Sequence, residues 1–153
     1  MTEKLSAGDL CTRIVTITDR DMSVVEAAQL MRDHHVGCLV VTDDSPHGRL
    51  VVGLLTDRDI VTAVVAEEID PMQIQVEAVM TREVVTAAET DSVSDLLDKM
   101  RRKGLRRLPV VTRAGVLVGL VTLDDLLTVM AEQLRAMALS IEAGQMRERK
   151  LRP

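Results

Sequence analysis

Apolar residues along this chain fall into short blocks that alternate between strand-like and helix-like spacing, and the whole series occurs twice. Leu10-Cys11-Thr12-Arg13-Ile14-Val15-Thr16-Ile17 is rich in β-branched residues and predicts a strand. Asp19-Arg20-Asp21 marks a turn, and Ser23-Val24-Val25-Glu26 has the form of a capping box that opens a helix. Val24, Ala27, Ala28, Leu30 and Met31 share one face of that helix, which ends near His34-His35. Gly37 to Val41 reads as a buried strand, Asp43 to Gly48 as a turn, and Leu50 to Leu55 as the returning strand. A second helix is predicted from Asp57 to about Ala66. The predicted order is β-α-β-β-α.

Gly53-Leu54-Leu55-Thr56-Asp57-Arg58-Asp59-Ile60 returns as Gly119-Leu120-Val121-Thr122-Leu123-Asp124-Asp125-Leu126, 66 residues later. Upstream the offset is 69: Leu10 to Val15 matches Val79 to Val84, Ser23 matches Ser92, and Met31 matches Met100. The strand Cys38 to Thr42 is matched by Arg107-Leu108-Pro109-Val110-Val111. The offset drops because the turn Thr112 to Gly115 is three residues shorter than its partner, a change that a surface hairpin tolerates. The chain therefore divides into a repeat at 8–66, a linker at 67–76 with Pro71 starting a short helical turn, a second repeat at 77–134, and an extension at 135–153.

The second copy of the last helix runs past the end of its twin. Leu127, Met130, Leu134, Met137 and Ile141 alternate steps of three and four, the a/d seam of a helix that packs on another helix. Gly144 is the expected stop, and Arg147 to Arg152 the expected mobile basic tail. The seam predicts a homodimer contact through residues 126–143; packing back on its own module is the alternative.

Composition narrows the function. The chain has no Phe, Trp or Tyr, so no aromatic platform exists on which a base could stack. Net charge is −5, which argues against a general nucleic-acid binder, although residues 1–70 carry −7 and residues 71–153 carry +2. Lys99, Arg101, Arg102, Lys103, Arg106 and Arg107 hold much of the positive charge. Cys11 and Cys38 are isolated thiols without metal-ligand spacing. The N-terminus lacks a basic stretch followed by an apolar core, and no apolar run approaches a membrane span of roughly 20 residues. A cytoplasmic location is expected. No nucleophile–base pair, metal cluster or glycine-rich phosphate loop stands out, so catalysis is not expected.

Two β-α-β-β-α repeats, Met80-Thr81-Arg82-Glu83-Val84, Leu108-Pro109-Val110-Val111 and a doubled Gly-x-x-Thr-x-x-Asp together resemble a tandem pair of CBS domains, the family named from cystathionine β-synthase. The resemblance covers roughly residues 8–135. The first repeat departs from it in having Val40 where the second has Pro109, Cys11 where the second has Met80, and a longer hairpin. The resemblance implies an α/β (α+β) fold in which the repeats pack sheet to sheet with pseudo-two-fold symmetry. It further implies a non-catalytic regulatory module, called a Bateman module, that binds adenosine-containing ligands: AMP, ADP, ATP, NAD or S-adenosylmethionine. Carried over residue by residue, one site would use Thr56 and Asp59 with Thr81, Val84, Val85, Leu105 and Arg106. The other would use Thr122 and Asp125 with Thr12, Val15, Thr16, Val36 and Gly37.

The chemistry of those residues agrees. A helix N-terminus with free N–H groups suits a phosphate, and a carboxylate one turn in can accept from ribose hydroxyls. Adenine needs only a flat apolar slot and backbone groups, which Val and Leu supply. Arg106 and Arg107, with Arg58 behind them, are candidates for a polyphosphate. Each feature also has a plainer reading. Thr-x-x-Asp is a helix cap, the basic cluster a solvated face, the histidines a solvated helix end, and Cys38 core. Thr18-Asp19-Arg20-Asp21 copies the motif's letters without its glycine and reads as a turn. The competing functions are accordingly a protein-interaction or dimerisation module without ligand, and nucleic-acid binding through the basic cluster and tail. In the sensor reading the regulated target is a separate chain.

Overall fold

The computed structural model describes residues 4–152; the sequence reads as a polar lead-in over residues 1–8, of which residues 1–3, like Pro153, lie outside the described residues. The fold is mixed α/β. The first repeat comprises α1 (Ala7–Leu10), β1 (Ile17–Thr18), α2 (Val24–His34), β2 (Cys38–Ser45), β3 (Gly48–Thr56) and α3 (Asp57–Ile60), which continues as a π-helical turn over Val61–Val65. The second comprises α4 (Val76–Val79), β4 (Ala87–Ala88), α5 (Val93–Lys103), β5 (Arg107–Val111), β6 (Leu117–Thr122) and α6 (Leu123–Leu151). Each repeat thus has the β-α-β-β-α order, preceded by a short helix. In both sheets the middle strand pairs parallel with the first and antiparallel with the third.

The leading segments depart from the expected strands. The strand expected over Leu10–Ile17 shrinks to Ile17–Thr18, and Ala7–Leu10 is helical. A capping box causes this: the Asp9 amide donates to the Ser6 hydroxyl, and the Asp9 carboxylate accepts from the Ser6 amide at 2.9 Å. Beyond it, Thr12 does not join its own sheet. It exchanges both backbone hydrogen bonds with Leu120 of the other repeat, at 2.9 and 3.0 Å, and Thr81 does the same with Leu54. Each third strand therefore has its outer edge covered by the opposite repeat.

The two cores are built the same way. Ala7 of α1 is buried with Leu96, Met100, Leu108, Val110, Val121 and Leu126 of the second repeat. Val76 of α4 and Met80 are buried with Ala27, Met31, Leu39, Val41 and Leu55 of the first. Each core is completed by the leading helix of the other repeat, and this exchange makes the pseudo-two-fold. Without aromatic residues, close packing of aliphatic side chains and methionines fills both cores.

Close approach explains the motif glycine. A Cβ on Gly119 would stand 2.6 Å from Cys11 Sγ and 2.7 Å from the Thr12 carbonyl oxygen; on Gly53 it would meet Met80 Sδ at 2.4 Å. Cys11 and Met80 are equivalent positions, so each repeat's glycine makes room for the other's leading segment.

Three further expectations change. The hairpin expected over Asp43–Gly48 tightens to a turn at Pro46-His47, because β2 continues to Ser45, whose hydroxyl donates to the Gly48 carbonyl at 2.7 Å. The second helix of repeat one relaxes into the π-helical turn after Ile60. Gly144 does not stop α6, and the residues of the expected mobile tail are helical through Leu151. A helix-interior glycine costs about 1 kcal/mol relative to alanine, which good helix formers on both sides outweigh, and Arg149 and Lys150 complement the C-terminal dipole.

Candidate functional site

Five helices open with a reciprocal capping box, and they are not alike. In the three serine caps the hydroxyl also donates to the boxed carboxylate: Ser6 to Asp9 at 2.7 Å, Ser23 to Glu26 at 2.8 Å, Ser92 to Asp95 at 2.7 Å. These contacts and the backbone bonds hold the three carboxyls below their ordinary range. In the two motif caps the hydroxyl makes no such bond. Thr56 Oγ1 accepts from the Asp59 amide at 3.2 Å, and Asp59 Oδ2 accepts from the Thr56 amide at 2.8 Å. Thr122 and Asp125 repeat this at 3.2 and 2.9 Å. Among the described residues, each threonine hydroxyl proton and each aspartate Oδ1 is left without a partner.

Both caps open into clefts between the repeats. The larger, about 820 Å3, is lined by Thr56, Arg58, Asp59, Thr81, Val84, Val85, Leu105, Arg106 and Arg107. The smaller, about 270 Å3, is lined by Thr12, Val15, Thr16, Val36, Gly37, Thr122 and Asp125. All the candidate residues taken from the sequence line one of these two clefts. Leu54, Asp57, Glu83 and Gly104 in the larger, and Ile14 and Leu120 in the smaller, were not candidates; Lys103, from the basic cluster, and Cys38, expected as core, line the clefts as well. Ile14, between Thr12 and Val15, and Glu83, between Thr81 and Val84, stand at equivalent positions, a signal the repeat offset carries. Arg107 lines both clefts. A third concavity, around Met72 to Ala78, lies on the open surface of the linker, away from both caps.

The electrostatics of the two clefts differ. Around the larger, Arg58, Lys103, Arg106 and Arg107 have no carboxylate within ion-pairing distance among the described residues. By contrast Arg101 and Arg102 pair with Asp98, and Lys99 pairs with Asp91 at 2.5 Å. The basic cluster therefore splits: its first half is a paired helix face, and its second half, with Lys103, turns to the cleft.

The start of α3 corrects one expectation. Its amides are already used: Asp57 donates to the Gly37 carbonyl at 3.0 Å, Arg58 to Asp57 Oδ1 at 2.8 Å, and Asp59 to Thr56. No free N–H cradle faces a phosphate there, so a phosphate in the larger cleft would rely on side-chain cations. Gly37 has its own reason: a Cβ would stand 3.0 Å from the Asp57 carboxylate. Burial pushes both the Cys11 and Cys38 thiols up, away from the reactive thiolate. Among the described residues no three His, Cys, Asp or Glu side chains group as metal ligands, and no helix is long and apolar enough to cross a membrane.

The CBS domain profile matches residues 7–66 and 76–132, and the chain belongs to that family. An uncharacterized protein of Methanopyrus kandleri is 33% identical over 125 residues, covering 82% of this chain and 62% of its own length. Hypoxic response protein 1 of Mycobacterium tuberculosis is 31% identical over 121 residues, covering 79% of this chain and 82% of that protein. Among solved structures, the CBS domain pair of protein MJ0100 in complex with 5-methylthioadenosine and S-adenosyl-L-methionine superposes with a TM-score of 0.74 at 27% identity, over 86% of this chain and 99% of the other. Hypoxic response protein I with two coordinated zinc ions gives 0.71 at 30% identity, over 80% and 97%.

Proposed function

We propose that this chain is a regulatory module that binds an adenosine-containing ligand between its two CBS repeats and passes the occupancy on to a separate protein. The observation that carries the reading is the difference among the caps. All five boxes leave one carboxylate oxygen without a partner among the described residues, but only the two that open into the clefts also leave the hydroxyl proton unused; in the other three the serine hydroxyl is spent on its own carboxylate. A ribose diol supplies acceptor and donors of that geometry. Arg58, Lys103, Arg106 and Arg107, without ion-pair partners among the described residues, make the larger cleft the place for a phosphorylated ligand such as AMP, ADP or ATP; the smaller accommodates an adenosyl group by apolar contact. The bound 5-methylthioadenosine and S-adenosyl-L-methionine of the similar domain pair support an adenosyl ligand class. The ligand acts by favouring one relative arrangement of the repeats, a population shift that needs no catalytic group.

Purified protein should show a 260 nm band against an almost transparent 280 nm region, since no aromatic side chain absorbs. Mass spectrometry of the released compound identifies the ligand. On ligand-free protein, calorimetry with adenine nucleotides should give an affinity that Asp59→Ala lowers about 10- to 100-fold, the value of a charge-assisted hydrogen bond. Unchanged affinity in Asp59→Ala, Asp125→Ala and the double variant would overturn the assignment.

The seam on α6 supports self-association beside ligand binding. Leu127, Met130, Leu134, Met137 and Ile141 are between 42% and 65% exposed, a row that a second copy of the helix would cover.

A further inference from the structure

Arg107 opens β5, and its equivalent in the first repeat, 69 residues earlier, is Cys38, which opens β2. Both side chains line the smaller cleft, and the positive charge of Arg107 opposes the upward push of burial on the Cys38 thiol. Arg107 faces the larger cleft together with Arg58, Lys103 and Arg106. It also faces the smaller, where it is the one cationic side chain in the lining and Asp125 the one carboxylate. Cys38 carries no charge that could substitute for it. The pseudo-symmetry of the backbone therefore conceals an asymmetry of charge: two clefts share a single guanidinium, and only the larger has cations besides.

We propose that Arg107 makes the two clefts compete for one cation, so that a phosphorylated ligand in the larger cleft weakens the binding of a phosphorylated ligand in the smaller. The inference rests on the ligand reading above. A guanidinium drawn to a phosphate in one cleft leaves the other with the Asp125 carboxylate unopposed, which disfavours a second anion. A ligand without phosphate asks nothing of Arg107 and leaves the clefts independent. The coupling is reciprocal, because linkage between two binding equilibria has no direction.

Calorimetry with ADP and with adenosine tests this. The smaller cleft is measured alone in Asp59→Ala, the larger alone in Asp125→Ala, and both together in the wild type. With ADP, the second molecule should bind the wild type about 5- to 20-fold more weakly than it binds the same cleft measured alone. With adenosine the ratio should be one. Arg107→Gln should bring the ADP ratio to one, whereas Arg106→Gln, which touches only the larger cleft, should weaken that cleft and keep the coupling. A ratio of one for ADP in the wild type overturns the coupling, as does a ratio that persists with adenosine or in Arg107→Gln. ADP binding that Asp125→Ala leaves untouched also overturns it, while the larger-cleft reading stands. Absence of binding by every variant and by the wild type, to both ligands, removes the ligand reading itself.

Discussion

Thr42 and Val111 occupy equivalent positions, just past a bulge in the middle strand of each sheet. Thr42 is 1% exposed, and its hydroxyl finds no partner among the described residues. A buried hydroxyl without a hydrogen bond costs on the order of 1–3 kcal/mol. Thr42→Val, which installs the second repeat's own solution, should raise stability by about 1 kcal/mol, read as a higher urea midpoint at unchanged m-value. The motif glycines give an opposite pair. At Gly119 an added methyl meets the Thr12 backbone carbonyl, which cannot yield without breaking its exchange with Leu120; at Gly53 it meets the flexible Met80 side chain. Gly119→Ala should cost about 2–3 kcal/mol and Gly53→Ala about 1, in the range of overpacked cores. Equal costs at the two positions would mean that the Thr12 carbonyl yields as readily as the Met80 side chain, and no cost at either would contradict the swapped packing. At this scale the sequence was informative about identity and silent about state. Thr56, Asp59, Thr122 and Asp125 were visible from the repeat, but a reciprocal cap and a ligand grip use the same letters. What sets the motif caps apart from the serine caps, a hydroxyl that does not turn to its own carboxylate, is a matter of rotamer and appears only in three dimensions.

Elements were legible where periodicity extends over several turns and misread where it does not. α2 and α5 begin at their boxed serines and end beside His35 and Gly104, equivalent residues that both adopt the left-handed conformation. The short leading helices were missed because a single turn has no periodicity, although Ser6-Ala7-Gly8-Asp9 carried the capping signal. Thr12 and Thr81 looked like strand residues and do pair, but with the other repeat, a long-range choice that local sequence does not encode. Gly144 was misread because a glycine is either a stop or a cost, and the residues beyond it decide which. Nothing lies within 4 Å of a Cβ placed there, so Gly144→Ala should stabilise α6 by up to about 1 kcal/mol and increase helical circular dichroism. The exposed seam makes a separate claim at this scale. Leu134→Glu with Met137→Glu should convert a dimer to a monomer in sedimentation velocity while leaving ligand affinity intact, because neither residue lines a cleft. A wild-type chain that sediments as a monomer would assign the seam to another partner.

The exchange of leading helices sets how the whole molecule responds. Because α1 completes the second core and α4 the first, neither repeat can lose its packing without stripping a helix from its twin. A chain built this way should unfold in one transition although its sequence is a duplication. Ala7→Asp makes the test directional. It places an uncompensated carboxylate among Leu96, Leu108 and Val121, all of them 89 or more residues away from it along the chain. Hydrogen exchange should then show loss of protection first in β5, β6 and α5, and only afterwards in β2 and β3, within which Val41 and Leu55 are held by Val76 and Met80. Loss confined to α1 and its immediate neighbours in sequence would mean that α1 does not hold the second core, and loss in β5, β6 and α5 that never reaches β2 and β3 would mean that the two cores are independent. The same interlock gives the clefts their leverage. Each is walled on one side by a capped helix of one repeat and on the other by the leading segment of its twin, the segment whose ladder bonds join the halves. A ligand that spans the cleft therefore adds to the contacts that hold the repeats in register, and its departure removes them. Ligand saturation should accordingly raise the single transition as a whole, by RT ln(1 + [L]/Kd), about 2.7 kcal/mol at a hundredfold excess over Kd, rather than splitting it into a bound and a free half.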